Sequence, residues 1–193
     1  MARWAPGASD RLQRAAMEQF AQNGYEATTV AGIAGRAGVT ERTFFRHFAD
    51  KREVLFAGEE EEFEALFTDA MAGAPADASL ADLLVAALDA GGGALQDLRG
   101  RDHARARNEL ITANEQLRER ESLKLAKLSQ AMTAVLAARG VAEVPARLAA
   151  DLVVSVFSTA FARWIAPDET RDLVELQRES LAVVSDLTRV ETV

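Results

Sequence analysis

Residues 28–51 contain two short helical patterns separated by one glycine, and this segment constrains the fold more than any other. In TTVAGIAGRAGVTERTFFRHFADK, the apolar residues of the first pattern recur at spacings of three and four until Gly38 ends it. Thr40 can cap the second pattern, in which Phe44 and Phe48 lie four residues apart on one face. Two short helices joined by such a tight turn predict a helix-turn-helix.

The rest of the chain also has helical rather than strand periodicity. A first helix is expected at 9–23, and Asp50 is placed to cap a connecting helix that runs to about residue 70. A loop follows at 72–78, where Gly, Pro and Asp cluster. Further helices are expected at about 79–98, 103–139 with a break near 112–114, 145–165 and 169–189. The predicted fold is all-α, with an N-terminal three-helix domain with its connecting helix at 8–68 and a larger helical domain at 69–193.

The segment at 28–51 resembles the DNA-binding domain of the TetR family of transcriptional regulators. The elements TTVxxIAxxAGVT, xxTxFxHF and DK occur here in the family's order and spacing. The resemblance implies a homodimeric repressor that binds double-stranded, palindromic operator DNA and is released by a small molecule bound in the C-terminal domain. It also implies that the second short helix enters the major groove.

Charge and residue chemistry agree with a DNA contact in this segment. Residues 1–56 hold eight Lys and Arg against six acids, although the whole chain carries a net charge of −8. Arginine can bind guanine with two hydrogen bonds, and helix N-termini and lysine can bind phosphate. His47 is implied as a phosphate ligand, with a helix-surface histidine packed between phenylalanines as the alternative. The predicted contacts are Thr28, Thr29, Thr40, Glu41, Arg42, Thr43, Phe45, Arg46, His47 and Lys51.

Two positions depart from the family's pattern. Phe45 stands where a tyrosine hydroxyl is expected on the DNA backbone, so that only ring packing remains. Gly32 stands where an acidic residue is usual, which removes half of a capping box. Each departure is expected to cost about 0.5–1.5 kcal/mol, the usual contribution of one hydrogen bond or cap.

The segment 145–165 has two apolar stripes and therefore needs two partners. The resemblance implies that this helix and the last one pack against their copies in a homodimer, whereas the alternative is a core helix of a monomer. Dimerisation also suits function, because one short helix reads too few base pairs for a selective site. The predicted interface residues are Leu148, Leu152, Val156, Leu181 and Val184.

A ligand cavity is expected between the segments 79–98, 103–139 and 145–165. Gly91 to Gly93 either leave room there or mark an irregular join between two helices. The basic run from Arg99 to Arg107 either guides an anionic ligand or is a solvated helix start. RERESLKLAKL at 118–128 and VFSTAFARW at 156–164 resemble a TetR subgroup that senses molecules like acyl-CoA. The predicted ligand contacts are Arg107, Asn114, Glu121, Phe157 and Phe161.

Other classes of function find little support in the residues. The chain has no Cys and two His, and no spacing matches a catalytic triad, a phosphate loop or a metal site, so we expect neither an enzyme nor a cofactor or metal. The opening residues do not form a secretory signal, and the most apolar run, 152–162, falls short of a membrane span. A cytoplasmic protein is expected. The alternatives are a ligand-independent DNA-binding or architectural protein and, more remotely, a small helical enzyme.

Overall fold

The computed structural model describes residues 7–56 and 60–188, and these residues form helices without any strand. The helices are α1 (Ala8–Asn23), α2 (Val30–Arg36), α3 (Glu41–His47), a 3-10 helix (Arg52–Leu55), α4 (Glu60–Gly73), α5 (Leu80–Arg99), α6 (Arg101–Ala113), α7 (Glu115–Ala138), α8 (Glu143–Trp164) and α9 (Leu173–Thr188). The all-α prediction is therefore confirmed for the described part of the chain.

The predicted break near 112–114 is confirmed. Helix α6 ends at Ala113 and α7 begins at Glu115, so that Asn114 alone separates them. The side-chain amide of Asn114 donates to the carbonyl of Leu110 at 2.6 Å. This bond satisfies one of the carbonyl groups that every helix leaves free at its C-terminal end.

The connecting helix differs from its prediction. Asp50 does act as a cap, since its Oδ1 accepts from the backbone N–H groups of Arg52 and Glu53 at 2.9 and 3.1 Å. It caps only the four-residue 3-10 helix, however, and α4 begins separately at Glu60. The predicted helical residues 57–59 and 189 lie outside the described residues.

The chain forms two compact units, and the division differs from the predicted boundary at 68/69. The N-terminal unit contains the described residues up to Glu60 together with residues 106–121, and the body contains residues 61–105 and 122–188. The segment 106–121 belongs to the N-terminal unit because Ile111 and Leu117 are buried in that unit's core. Helices α4, α6 and α7 therefore each contribute residues to both units.

The core of the N-terminal unit is built from one face of each of its helices. Apolar burial of this kind supplies about 25 cal/mol per Å² and stabilises the short helices α2 and α3, which would not persist alone. The buried members are Leu12, Ala15, Ala16, Phe20, Tyr25, Ile33, Ala37, Phe44, Phe48, Val54, Leu55, Phe56, Ile111 and Leu117.

The body is centred on α8, which packs against α5 and α9. By length and composition, α8 is the one described helix that could cross a membrane. Eight of its residues are nevertheless buried in the body. The same test is passed by core helices of soluble proteins, so this helix is weak evidence for a membrane span.

The three glycines at 91–93 neither break α5 nor mark a join, because α5 is continuous through them. A Cβ atom on Gly91 would lie 2.1 Å from the ring of Phe67, and one on Gly92 would lie 2.1 Å from Oε1 of Gln177. The bare backbone thus lets Phe67 and Gln177 approach α5 closely. A glycine costs a helix about 1 kcal/mol relative to alanine. The close approach of Phe67 and Gln177 explains why Gly91 and Gly92 occur in α5 despite this cost.

Candidate nucleic-acid interface

Helix α3 is fixed to the N-terminal unit by its apolar face and its cap. Phe44 is fully buried, and its ring centroid lies 5.3 Å from that of Phe48. Thr40 caps the helix, since its Oγ1 accepts from the backbone N–H of Thr43 at 3.2 Å. Gly38, with φ of 68°, makes the turn before it in a conformation that other residues adopt at a cost of about 1–2 kcal/mol.

The opposite face of α3 is open to solvent. Glu41, Arg42, Phe45, Arg46 and His47 are all exposed. Among the described residues, Arg42 and Arg46 take part in no hydrogen bond or ion pair. Their guanidinium groups are therefore available to an external partner, and the rigid support beneath them limits the entropy lost on binding.

The two threonines before α2 have different roles. Thr29 is the N-cap, and its Oγ1 accepts from the backbone N–H of Gly32 at 3.0 Å. Thr28 is buried, and its hydroxyl donates to the carbonyls of Gln19 and Gly24. The predicted phosphate contact by the Thr28 hydroxyl is therefore corrected, because burial removes it from the surface, whereas Thr29 remains exposed at the helix start.

Lys51 is part of the structure of the unit. Its Nζ donates to the carbonyls of Tyr25 and Thr28 at 2.7 and 3.0 Å and lies 4.1 Å from the centre of the Tyr25 ring. Burial, followed by the negative charges of Asp50 and Glu26, raises the pKa of the Tyr25 hydroxyl. Lys51 thus holds the turn that leads into α2, and only its third N–H remains for a phosphate.

A second charged group lies in the N-terminal unit, around the buried ring of Phe56. Arg120 donates from Nε and Nη2 to the carboxylate of Glu53 at 2.8 and 3.2 Å and also pairs with Glu60. The guanidinium carbons of Arg120 and Arg107 lie 4.9 and 5.0 Å from the ring centre of Phe56. These hydrogen bonds, that to Glu53 foremost, raise the pKa of Arg120. Sequence reasoning missed this network, because its members are far apart in the chain.

The predicted ligand contacts are divided between the units. Arg107, Asn114 and Glu121 lie in the N-terminal unit, where Arg107 donates to Glu121 at 3.1 Å and Asn114 closes α6. Phe157 and Phe161 lie in the body, stacked with ring centroids 6.0 Å apart. The structure thus brings together two pairs of the predicted contacts, Arg107 with Glu121 in the N-terminal unit and Phe157 with Phe161 in the body.

Arg101 and Arg105, which belong to the predicted basic run, also have hydrogen-bond partners within the protein. Arg101 donates to the carbonyl of Arg171 at 2.6 Å, and Arg105 donates to the carbonyl of Ile165 at 2.6 Å. Both therefore hold the turn that follows α8. These carbonyl contacts give both arginines a structural role, and Arg105 also pairs with Asp102 at 3.4 Å in the first turn of α6, which agrees with the helix-start alternative.

The residues predicted for a dimer interface differ in exposure. Leu148 is 65% exposed, whereas Leu152, Leu181 and Val184 are half-buried. Val156 is buried in the core of the body, so its assignment to an interface is corrected. Three further exposed apolar residues lie on the same two helices: Val144 on α8, and Val183 and Leu187 on α9.

The geometry of α2 and α3 defines a class of protein. Two short helices joined through Gly38, with a buried phenylalanine behind an exposed basic face, form a helix-turn-helix of the kind that enters a DNA groove. Residues 12–57 match the model of bacterial regulatory proteins of the tetR family. Residues 79–188, more than half of the chain, match the model of the MftR C-terminal domain. The chain therefore belongs to the TetR family of bacterial regulatory proteins.

Individual relatives are similar to this chain either at high identity over a short segment or at low identity over the whole chain. A segment of 45 residues is 58% identical to the HTH-type transcriptional regulator TcmR of Streptomyces glaucescens, which is 23% of this chain and 20% of TcmR. The fatty acid degradation regulator FadR from Bacillus halodurans has a TM-score of 0.61 at 20% identity, over 98% of this chain and 99% of that one. Thermus thermophilus FadR, solved in complex with lauroyl-CoA, has a TM-score of 0.56 at 21% identity, over 96% and 97%. At these identities the two structures support the fold alone.

Proposed function

We propose that this protein is a sequence-specific DNA-binding transcriptional regulator that acts in the cytoplasm and reads its operator with α3. The observation that carries the proposal is the exposed pair Arg42 and Arg46 on a helix fixed from behind by Phe44. Each guanidinium can form two hydrogen bonds with O6 and N7 of a guanine in the major groove. Thr40, Glu41 and Thr43 lie beside them as smaller reading groups.

Phosphate contacts would fix the orientation of α3. The N-terminus of α2 at Thr29 presents free backbone N–H groups, and His47 is exposed at the end of α3. Lys51 adds one available N–H next to the turn that it holds. These groups bind the DNA backbone without reading its sequence, and therefore set the register in which the two arginines meet bases.

Replacing Arg46 or Arg42 with alanine is expected to weaken binding about 5- to 150-fold, since a bidentate arginine–guanine contact is worth about 1–3 kcal/mol. The probe is a duplex that the wild-type protein enriches from a random library, and binding is measured by fluorescence anisotropy. Arg178→Ala is the control, because Arg178 is an exposed arginine of the body. Wild-type affinity in both α3 variants would contradict the proposed reading surface.

We also propose that the protein acts as a homodimer through α8 and α9. Their exposed apolar residues lie near the N-terminal end of α8 and the C-terminal end of α9, and these ends are neighbours because a short turn joins two packed helices. A second copy of the chain supplies the same apolar surface by twofold symmetry. TetR-family membership supports this choice of partner, since these regulators bind operators as dimers.

We propose further that the protein is a repressor released by an apolar effector, of the acyl-CoA-like class, bound in the body. Four phenylalanines pack there in one cluster: Phe63, Phe67, Phe157 and Phe161. In the same unit, Gln177 is fully buried against Gly92 of α5, and neither its Nε2 nor its Oε1 has a hydrogen-bond partner among the described residues. An unpaired buried amide costs about 1–3 kcal/mol, and a polar group of the effector is one way to offset that cost.

The effector would act through the helices that the two units share. Helices α4, α6 and α7 each contribute residues to both units, and they are therefore the route by which we propose that a bound effector acts on the N-terminal unit. Release from DNA requires the two α3 helices of a dimer to leave the spacing of about 34–36 Å, one DNA turn, that adjacent half-sites impose.

Lauroyl-CoA is expected to lower operator affinity about 100-fold, which corresponds to about 2.7 kcal/mol of coupling. By reciprocity, the operator must weaken lauroyl-CoA binding by the same factor. The measurement is a calorimetric titration with and without the enriched duplex, with free CoA as the control that lacks the apolar chain. Equal affinities in both titrations would contradict the coupling and favour the ligand-independent regulator.

A further inference from the structure

Phe45 is an apolar side chain that the N-terminal unit itself does not use. It is 55% exposed, while every other large apolar side chain in the described part of that unit is buried or half-buried. Its ring rests edge-on against Phe44, with centroids 5.5 Å apart and planes at 81°. The ring is thus held in one direction, outward from α3, by a residue that is itself fixed in the core.

The neighbours of Phe45 select the partner that this ring can meet. Glu41 and Arg42 lie four and three residues before it on the same face, and Arg46 follows it on the adjacent face, so that two cations and one carboxylate surround the phenyl group and the surface is net positive. A positive surface attracts DNA and opposes burial against an apolar protein surface. Within the major groove, the C5 methyl group of thymine is the apolar feature of the base edges.

We propose that Phe45 reads thymine through this methyl group and makes thymine a preferred base in each half-site, next to a guanine bound by Arg42 or Arg46. The inference rests on the proposed DNA-binding function and adds a base preference to it. Phe45 has no hydroxyl and donates no hydrogen bond to a phosphate, so its contribution is apolar contact alone. The ring therefore contributes base selection rather than backbone anchoring.

The test removes one methyl group at a time from the DNA. In the duplex enriched by the wild-type protein, each thymine of a half-site is replaced singly by deoxyuridine, which keeps every hydrogen-bonding group of the base. At one position the replacement is expected to weaken wild-type binding about fourfold, the value of one buried methyl group of about 0.8 kcal/mol. Phe45→Ala is expected to bind the thymine and deoxyuridine duplexes equally.

Phe45→Tyr is the matched control, because it keeps the ring and is expected to keep the discrimination. Both variants should melt like the wild type, since more than half of this side chain is already exposed. If every deoxyuridine replacement weakened binding by the same factor in the wild type and in Phe45→Ala, the thymine contact would be overturned. The proposed DNA binding would stand. A wild-type protein that enriches no duplex would instead overturn the proposed function, and the two failures are therefore distinguishable.

Discussion

Arg120→Ala is expected to lower the free energy of unfolding by about 3–5 kcal/mol, because it removes the cation from a mostly buried ion pair and leaves the Glu53 carboxylate without it. The Arg120 side chain is 11% exposed, forms two hydrogen bonds with Glu53 and also pairs with Glu60. Its removal also uncovers one face of the buried Phe56 ring. Urea denaturation followed by circular dichroism measures the loss.

Arg178→Ala provides a control with matched geometry. Arg178 also donates from Nε and Nη2 to a single carboxylate, that of Asp89, at 3.2 and 2.6 Å, but its side chain is 62% exposed. Exposed ion pairs contribute about 0–1 kcal/mol, so this variant should be close to the wild type. Adding Glu53→Gln to Arg120→Ala should recover part of the loss, since it removes one stranded charge. Equal stabilities of the two alanine variants would show that burial does not govern the Arg120 network.

The local parts of the fold follow from the sequence with little ambiguity. Gly38, Thr40 and the Phe44–Phe48 pair each express a short-range rule, and the structure confirms the turn, the cap and the buried face. The break at Asn114 is equally local. Such features depend on residues within four positions of each other, so that they can be predicted from the sequence without knowledge of the tertiary contacts that stabilise them.

The parts that could not be predicted depend on residues distant in the chain. Nothing in the pattern around Ile111 and Leu117 indicates that this corner returns to the core of the N-terminal unit. Periodicity likewise places Val156 on an apolar stripe without saying which partner covers it, and the structure assigns it to the core. The same limit applies to Gly91, whose close contact with the Phe67 ring is the reason for a residue that propensity alone disfavours.

The charged residues show most clearly that contacts between distant parts of the chain cannot be predicted from the sequence pattern. Arg101, Arg105 and Arg107 form a basic run in the sequence, yet each donates to a different partner: the carbonyls of Arg171 and Ile165, and the carboxylate of Glu121. The sequence shows where basic residues are concentrated. It does not show whether their side chains already have hydrogen-bond partners within the protein. Arg42 and Arg46 differ in being unpaired among the described residues, and that distinction separates the proposed reading surface from the other basic segment.

Leu148→Glu is expected to convert the proposed dimer into monomers and to reduce operator affinity by at least 100-fold. The side chain is 65% exposed in the single chain, so the glutamate is solvated in the monomer and does not disturb its core. In a twofold interface it would be desolvated opposite apolar residues of the partner, and two such charges would be buried at once. Light scattering at micromolar concentration measures the mass, and anisotropy with the enriched duplex measures the affinity.

Leu123→Glu is the matched control, because Leu123 is an exposed leucine of the body on α7 rather than on α8 or α9. It should remain a dimer and bind DNA normally. Val156→Glu is unsuitable for this test, since a charge at that buried position would unfold the body whatever its oligomeric state. Wild-type protein that scatters as a monomer, or Leu148→Glu that remains a dimer, would exclude the α8–α9 interface. Loss of operator affinity in parallel with loss of the dimer would show that both half-sites must be occupied together, since one α3 helix alone reads too few base pairs to select a site.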